Sequence, residues 1–168
     1  MIAVRIVLPI SFGSYKIQAP YNYGLTLHVS SRAARIEMES VLILGGCHTD
    51  ARGVLRFCND FDMSAVKRFY TIANSAEQPV RGWIGHKKET KWFFPLRGRT
   101  VIVIESFNAE LQSGRGAEEF VLDAERPCVL KVPPRNWFCI KQDGNSEVMI
   151  FSDCKVGEFE NDDFRREL

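Results

Sequence analysis

A chain of 168 residues with 22 Lys and Arg against 21 Asp and Glu, a formal net charge of +1, is long enough for one sizeable core and hardly for two. The balance excludes the strong positive field with which nucleic-acid or anionic-membrane binders gather their partners, so any anionic ligand has to be held by local groups. Five widely spaced cysteines without a CxxC pair argue against a disulfide framework or a zinc cluster, and no apolar run approaches the roughly 20 residues that span a bilayer, so a soluble protein of the reducing cytoplasm is expected.

Residues 1–37 come first and differ from the remainder of the chain. They carry Arg5, Lys16, Arg32 and Arg35 against the single acid Glu37 and show no sustained helical or strand period. The opening MIAVRIVLPISFG is interrupted by Arg5 and Pro9 and lacks a small-residue cleavage site, unlike a signal peptide. Two readings stay open: upstream sequence ahead of a start at Met38, or an N-terminal arm that adds an edge strand or a dimer contact. Residues 38–168 are expected to form the single domain.

From Met38 onward short strands dominate: SVLIL, GVLRFC, VKRFYTI, KWFFPL, RTVIVIESF, EEFVLD, CVLKVP, NWFCIK and EVMIFSD. Each is rich in Val, Ile and Phe and is bounded by turn material such as GRGA, ERP and QDGNS. This pattern predicts an all-β sandwich or barrel. Only DFDMSAVK and FENDDFRREL have a helical reading, and both are short, so little helix is expected. His48, in GGCHTDARG, reads as a structural turn residue.

Within this pattern VRGWIGHKKETKWFF, residues 80–94, inserts a histidine, three lysines and a glutamate into an otherwise strand-like stretch. Alternation places Ile84 and His86 on one face of a strand, with Trp83, Gly85 and Lys87 on the other. The same rule puts Arg68 and Tyr70 on one face with Val66 and Ile72. Two such strands facing each other would form a polar pocket inside an apolar barrel. The alternative has Arg68 and Lys87 on a solvated outer face and His86 as a satisfied core histidine. Arg81, five positions before His86, reaches the same pocket only from a strand end or across a bulge. Glu89 reads as a surface partner of Lys87, Lys88 or Lys91. Trp83 and Trp137 are candidates for stacking on a base or sugar ring, although aromatic residues in barrels more often serve core or interface.

The order DARGVLRF, VKRFYTI, VRGWIGHKKETKWFFPLRGR, VLKVPPRNWFCI and MIFSD resembles the double-stranded β-helix of cupins over roughly residues 41–165. It is most similar to the dTDP-4-dehydrorhamnose 3,5-epimerases and dTDP-4-keto-6-deoxyhexose 3,4-ketoisomerases. Ordinary cupins bind a metal through an HxH pair, a glutamate and a later histidine; here the first position of the pair is Ile84, and PPRNWFCI has no histidine. With only His28, His48 and His86 in the chain, the resemblance implies no metal and no other cofactor.

The resemblance further implies a cytoplasmic homodimer serving surface-polysaccharide synthesis. Its small-molecule partner would be a nucleotide sugar, with no nucleic acid or membrane involved. The chemistry implied is proton abstraction beside a sugar ketone, which needs a base, an enolate partner and cations for the diphosphate. Arg81, His86 and Lys87 match the family's RG-x-H-x-HK, Arg68 and Tyr70 its KR-x-Y strand, and Arg52 its early RG turn. The family's first motif histidine, which the resemblance would make the principal base, is Ile84 here. His86 and Tyr70 are therefore the candidate catalytic residues, and Arg68, Arg81, Lys87, Arg52, Trp83 and Trp137 the candidate substrate contacts. A non-catalytic cupin that binds a sugar nucleotide or acts as an assembly partner is the alternative, with Ile84 its best support; a metal-dependent oxygenase is disfavoured by the ligand count.

Overall fold

A computed structural model describes residues 39–107 and 116–167. The arm of residues 1–37, the start proposed at Met38 and part of the GRGA turn lie outside them. The described residues form strands β1 (Val41–Leu44), β2 (Gly46–Asp50), β3 (Gly53–Phe57), β4 (Arg68–Ile72), β5 (Val80–His86) and β6 (Lys91–Arg97). Next in the chain are β7 (Arg99–Ser106), β8 (Glu118–Asp123), β9 (Cys128–Val132), β10 (Asn136–Gln142), β11 (Glu147–Ser152) and β12 (Phe164–Arg165). No helix occurs among the described residues, and therefore none long and apolar enough to cross a membrane.

One antiparallel sheet has the order β1-β9-β6-β11-β4 and the other β12-β5-β10-β7-β8, while β2 and β3 form a separate hairpin. Period-two patterning explains how the two large sheets meet. Phe93 on β6, Leu130 on β9, Ile150 on β11, Ile102 on β7, Leu122 on β8 and Ile140 on β10 turn inward from both sheets into one buried cluster. Burying such side chains contributes roughly 1.5–3 kcal/mol each. Trp92, Val129 and Phe151 point to the opposite face of their sheet, where Phe61 and Val66 cover them. A second, smaller core therefore lies under the β3–β4 connection.

Nine of the strands coincide with the apolar runs of the sequence. β2 does not: alternation in GCHTD carries no apolar signal, and His48 lies in this strand opposite Leu55 rather than in a turn. The turn itself is Asp50–Gly53, where the Asp50 carboxylate accepts the Arg52 N–H at 2.8 Å and Gly53 takes a φ of 126°. Neither segment with a helical reading is helical: residues 60–67 are turns and irregular chain, and residues 159–167 hold turns and β12. The five cysteines are free thiols, and burial pushes that of Cys128 up to about 12.

Candidate active site

The inward rows of side chains change character at one end of the molecule. Along β11 the row reads Val148, Ile150, Ser152; along β6, Pro95, Phe93, Lys91; along β4, Ile72, Tyr70, Arg68. Antiparallel pairing sets Ile150 opposite both Tyr70 and Phe93, and Ser152 opposite both Arg68 and Lys91. Arg68, Ser152 and Lys91 therefore form one polar rank across three strands, directly above an apolar one. The facing sheet supplies His86 and Ile84 from β5, with Phe138 and Ile140 from β10.

Between the sheets lies a cavity of about 340 Å³ whose lining includes Arg68, Tyr70, Arg81, Ile84, His86, Glu89 and Lys91. Its floor is apolar, made by Ile72, Phe138, Ile140 and Ile150, and one wall comes from the chain after Cys154. Arg81 reaches it across a bulge. The β5–β10 pairing passes from Ile84↔Phe138 to Arg81↔Ile140, two residues intervening on β5 against one on β10. The extra residue reverses the alternation between Arg81 and Ile84. Gly82 makes the bulge possible: its φ is 139°, and a Cβ there would stand 2.5 Å from Cys139 Cβ and 2.7 Å from Cys139 Cα.

Glu89 is the electrostatic centre. It is 5% exposed: it pairs with Lys91, one of the three lysines expected, but inside the molecule rather than on its surface, because the turn after β5 carries it inward. Its Oε1 accepts hydrogen bonds from Lys91 Nζ and Ser152 Oγ, and from Arg68 Nη2 at 2.9 Å. Burial alone would raise its carboxyl, but these donors, Lys91 and Ser152 foremost, hold it down at about 2. Arg68 also donates through Nε to the Cys154 carbonyl at 3.0 Å, and Lys91 Nζ donates to Tyr70 Oη at 3.3 Å. With Glu89 offset by one of the two cations, the network retains an excess positive charge beside the Tyr70 hydroxyl.

His86, 8% exposed, places Nδ1 2.8 Å from the Asp162 carbonyl and 3.3 Å from Glu89 Oε2. Both are acceptors, so Nδ1 carries the hydrogen and Nε2 keeps its lone pair. Burial first, then the nearby Lys91 charge, pushes the imidazolium pKa below its ordinary value against the pull of Glu89. The ring is neutral at pH 7 and can accept a proton at Nε2. Among the described residues no group of three or more His, Cys, Asp or Glu is arranged to hold a metal ion.

Of the residues singled out from sequence, Arg68, Tyr70, Arg81 and His86 are brought to this cavity. Four others are not among its lining. Arg52 is exposed and forks onto Asp50, with Nη2 2.6 Å from Oδ2. Lys87 points away and lays its ammonium 4.3 Å from the centre of the Phe164 ring. Trp83 and Trp137 sit on the outer face of their sheet, where the Arg166 guanidinium covers them at 4.4 and 5.2 Å and Phe107 packs against Trp137. Ser152 and Asp162 were not named by sequence reasoning, and Glu89 and Lys91 were named only as a surface pair. Lys91 and Ser152 had a signal, since each continues an inward apolar row by strand alternation; Asp162 had none.

The sequence of residues 35–168 matches the family model described as FdtA: WxcM-like, C-terminal. No curated protein is matched. Among solved structures, a 3,4-ketoisomerase from Helicobacter canadensis superposes with a TM-score of 0.59 at 18% identity, covering 77% of this chain and 92% of that one. A mutant of the 3,4-ketoisomerase QdtA from Thermoanaerobacterium thermosaccharolyticum, in complex with TDP-4-keto-6-deoxyglucose, gives 0.58 at 20% identity, with 76% and 87% covered. A dTDP sugar isomerase from Desulfovibrio desulfuricans gives 0.64 at 15% identity, with 76% and 83% covered. These likenesses show the shared fold, the double-stranded β-helix of cupins.

Proposed function

The chain belongs to the FdtA: WxcM-like, C-terminal family, and we propose that it isomerises or epimerises a dTDP-4-keto-6-deoxyhexose by proton abstraction beside the ketone. The observation that carries this reading is a neutral His86, with Nε2 free, in a cavity that also holds Tyr70 and the Lys91–Glu89–Arg68 network.

In this reaction the carbon–hydrogen bond beside C4 breaks, its proton passes to His86 Nε2, and its electron pair moves onto the ketone oxygen as an enolate. The imidazolium so formed keeps its Nδ1 hydrogen on Asp162 and gains the Glu89 carboxylate as counter-charge. Lys91, beside the Tyr70 hydroxyl, favours negative charge on a nearby oxygen and makes Tyr70 the proton donor when the enolate collapses. The guanidinium of Arg81, engaged only by Asn74 Oδ1 at 3.5 Å among the described residues, is the first choice for the diphosphate, with Arg68 the second. The apolar floor suits the 6-methyl side of a deoxy sugar. Exposed Val54 and Leu55 on the β2–β3 hairpin offer an apolar surface for the expected homodimer.

One observation favours the second reading, a nucleotide-sugar-binding protein without catalysis: Ile84 faces the cavity at the position where the family motif has its first histidine. Incubation with dTDP-4-keto-6-deoxyglucose in deuterated water, followed by NMR of the ring protons, separates the two. Deuterium entering beside C4 supports the isomerase. Tight binding with no exchange replaces it with the binding protein.

A further inference from the structure

Asp162 is buried, 7% exposed, and stands 76 positions after His86 on the segment that leads into β12. Its main-chain oxygen accepts the His86 Nδ1 hydrogen at 2.8 Å. Its carboxylate, whose Oδ2 stands 4.0 Å from the same Nδ1, also gathers main-chain donors. Oδ1 accepts the Lys87 N–H at 3.0 Å, and Oδ2 accepts those of Lys88 and Glu89 at 3.1 and 3.2 Å. These three amides come directly after the last residue of β5, where the sheet ladder stops supplying partners. The carboxylate gathers them into one turn. That turn sets where Glu89 lies, and so brings Glu89 Oε2 to 3.3 Å from the same Nδ1.

We propose that Asp162 is the positioning residue of the base: by its carbonyl it fixes the Nδ1–H tautomer of His86, and by its carboxylate it fixes the turn that places Glu89 behind the ring. The inference rests on His86 being the base. A neutral imidazole without such contacts populates both tautomers, and in the other one Nε2 carries the hydrogen and cannot abstract a proton. Asp162 itself needs no contact with substrate. It is held by the neighbouring β12, which pairs Phe164 with Gly85 and Arg165 with Ile84, and by Arg166, whose N–H reaches the Trp83 carbonyl at 3.3 Å. The order of the C-terminal segment is thereby coupled to the protonation pattern of a side chain on a different strand.

Long-range proton–nitrogen NMR of the histidine rings reads this directly, because His86 is one of only three histidines. Wild-type protein is expected to show His86 protonated at Nδ1; Asp162→Ala keeps the main-chain oxygen but frees the turn of residues 87–89 and the segment that carries that oxygen, and should show a mixture with the Nε2–H form. In the exchange reaction Asp162→Ala should lower kcat in proportion to the Nδ1–H fraction that NMR reads, a loss of about two- to fivefold, while KM stays within about threefold, since part of the base population is lost and substrate contacts are not. Asp162→Asn, which keeps one acceptor oxygen, should fall between the two, and it carries the test if the alanine variant does not fold. A wild-type His86 protonated at Nε2, or a folded variant with unchanged tautomer and kcat, overturns the proposal. If the tautomer shifts as expected but wild type exchanges no proton, Asp162 still positions the ring and the isomerase reading is what falls.

Discussion

Arg81 and His86 both face the cavity although five positions separate them on β5, because a bulge at Gly82 and Trp83 inserts one residue between them. The guanidinium of Arg81 and the imidazole of His86 are thus held at opposite ends of one strand, with Ile84 between them on the cavity wall.

Gly82→Ala tests the bulge. The added methyl would meet Cys139 main-chain and side-chain atoms at 2.7 and 2.5 Å, at a φ of 139° that alanine strongly disfavours. We expect a loss of about 2–3 kcal/mol in denaturant unfolding, together with weaker dTDP binding as Arg81 is displaced. Wild-type stability and affinity would show that the register there tolerates a side chain.

Glu89→Gln removes the charge that pairs Lys91 and Arg68, leaving a buried ammonium without its counter-ion, and should destabilise by about 3 kcal/mol at pH 7. The pH dependence has a defined sign. The folded carboxyl titrates at about 2 and the unfolded one near 4.5, so the stabilisation is fully present above pH 4.5 and is lost as pH falls toward 2. Urea unfolding of both proteins should therefore show a gap that is constant at neutral pH and closes in acid. A gap independent of pH between 5 and 2 would contradict the network.

Much of this arrangement was legible from residue order, and the exceptions have physical reasons. Period-two alternation was enough to put Tyr70 with Arg68 and Ile84 with His86, and apolar runs located nine of the strands. Glu89 was misplaced because local reading treats a carboxylate among lysines as solvated. What turns it inward is the tight turn held by Asp162, a partner 73 residues away. His48 was misplaced because GCHTD is a strand only through its pairing with β3. Trp83 and Trp137 stack, but on Arg166 at the outer face, a contact supplied by the chain beyond β12. Apart from the local β2–β3 hairpin, interactions of long sequence separation set these details, and no short window along the chain contains them.

His86 also makes a pH prediction. Burial and Lys91 keep its folded pKa below the 6.5 of a free imidazole, while Glu89, the Asp162 carbonyl and Asp163 pull the other way. Exchange activity should hold as pH falls through 6.5 and decline only below it. Stability has the same sign: the unfolded chain binds this proton more readily, so the contribution of neutral His86 is present above 6.5 and is lost below it. A rate that halves at 6.5 or higher would place the titrating base elsewhere.

Arg81→Ala and Arg68→Ala separate binding from chemistry. Losing either cation should weaken dTDP affinity by about tenfold, near 1.4 kcal/mol, as measured by calorimetry. Arg68→Ala should also lower the melting temperature, because it strips one donor from Glu89, whereas Arg81→Ala should not. Unchanged dTDP affinity in both would show that neither cation holds the diphosphate.

His86→Asn separates a proton-abstracting His86 from a merely structural one, through deuterium incorporation into dTDP-4-keto-6-deoxyglucose followed by NMR. Asparagine keeps a polar side chain of comparable reach but has no basic nitrogen. Exchange should fall on the order of 100- to 10,000-fold while dTDP affinity stays near wild type. Exchange at the wild-type rate in a folded His86→Asn protein would contradict the account and make Tyr70 the first candidate for the base.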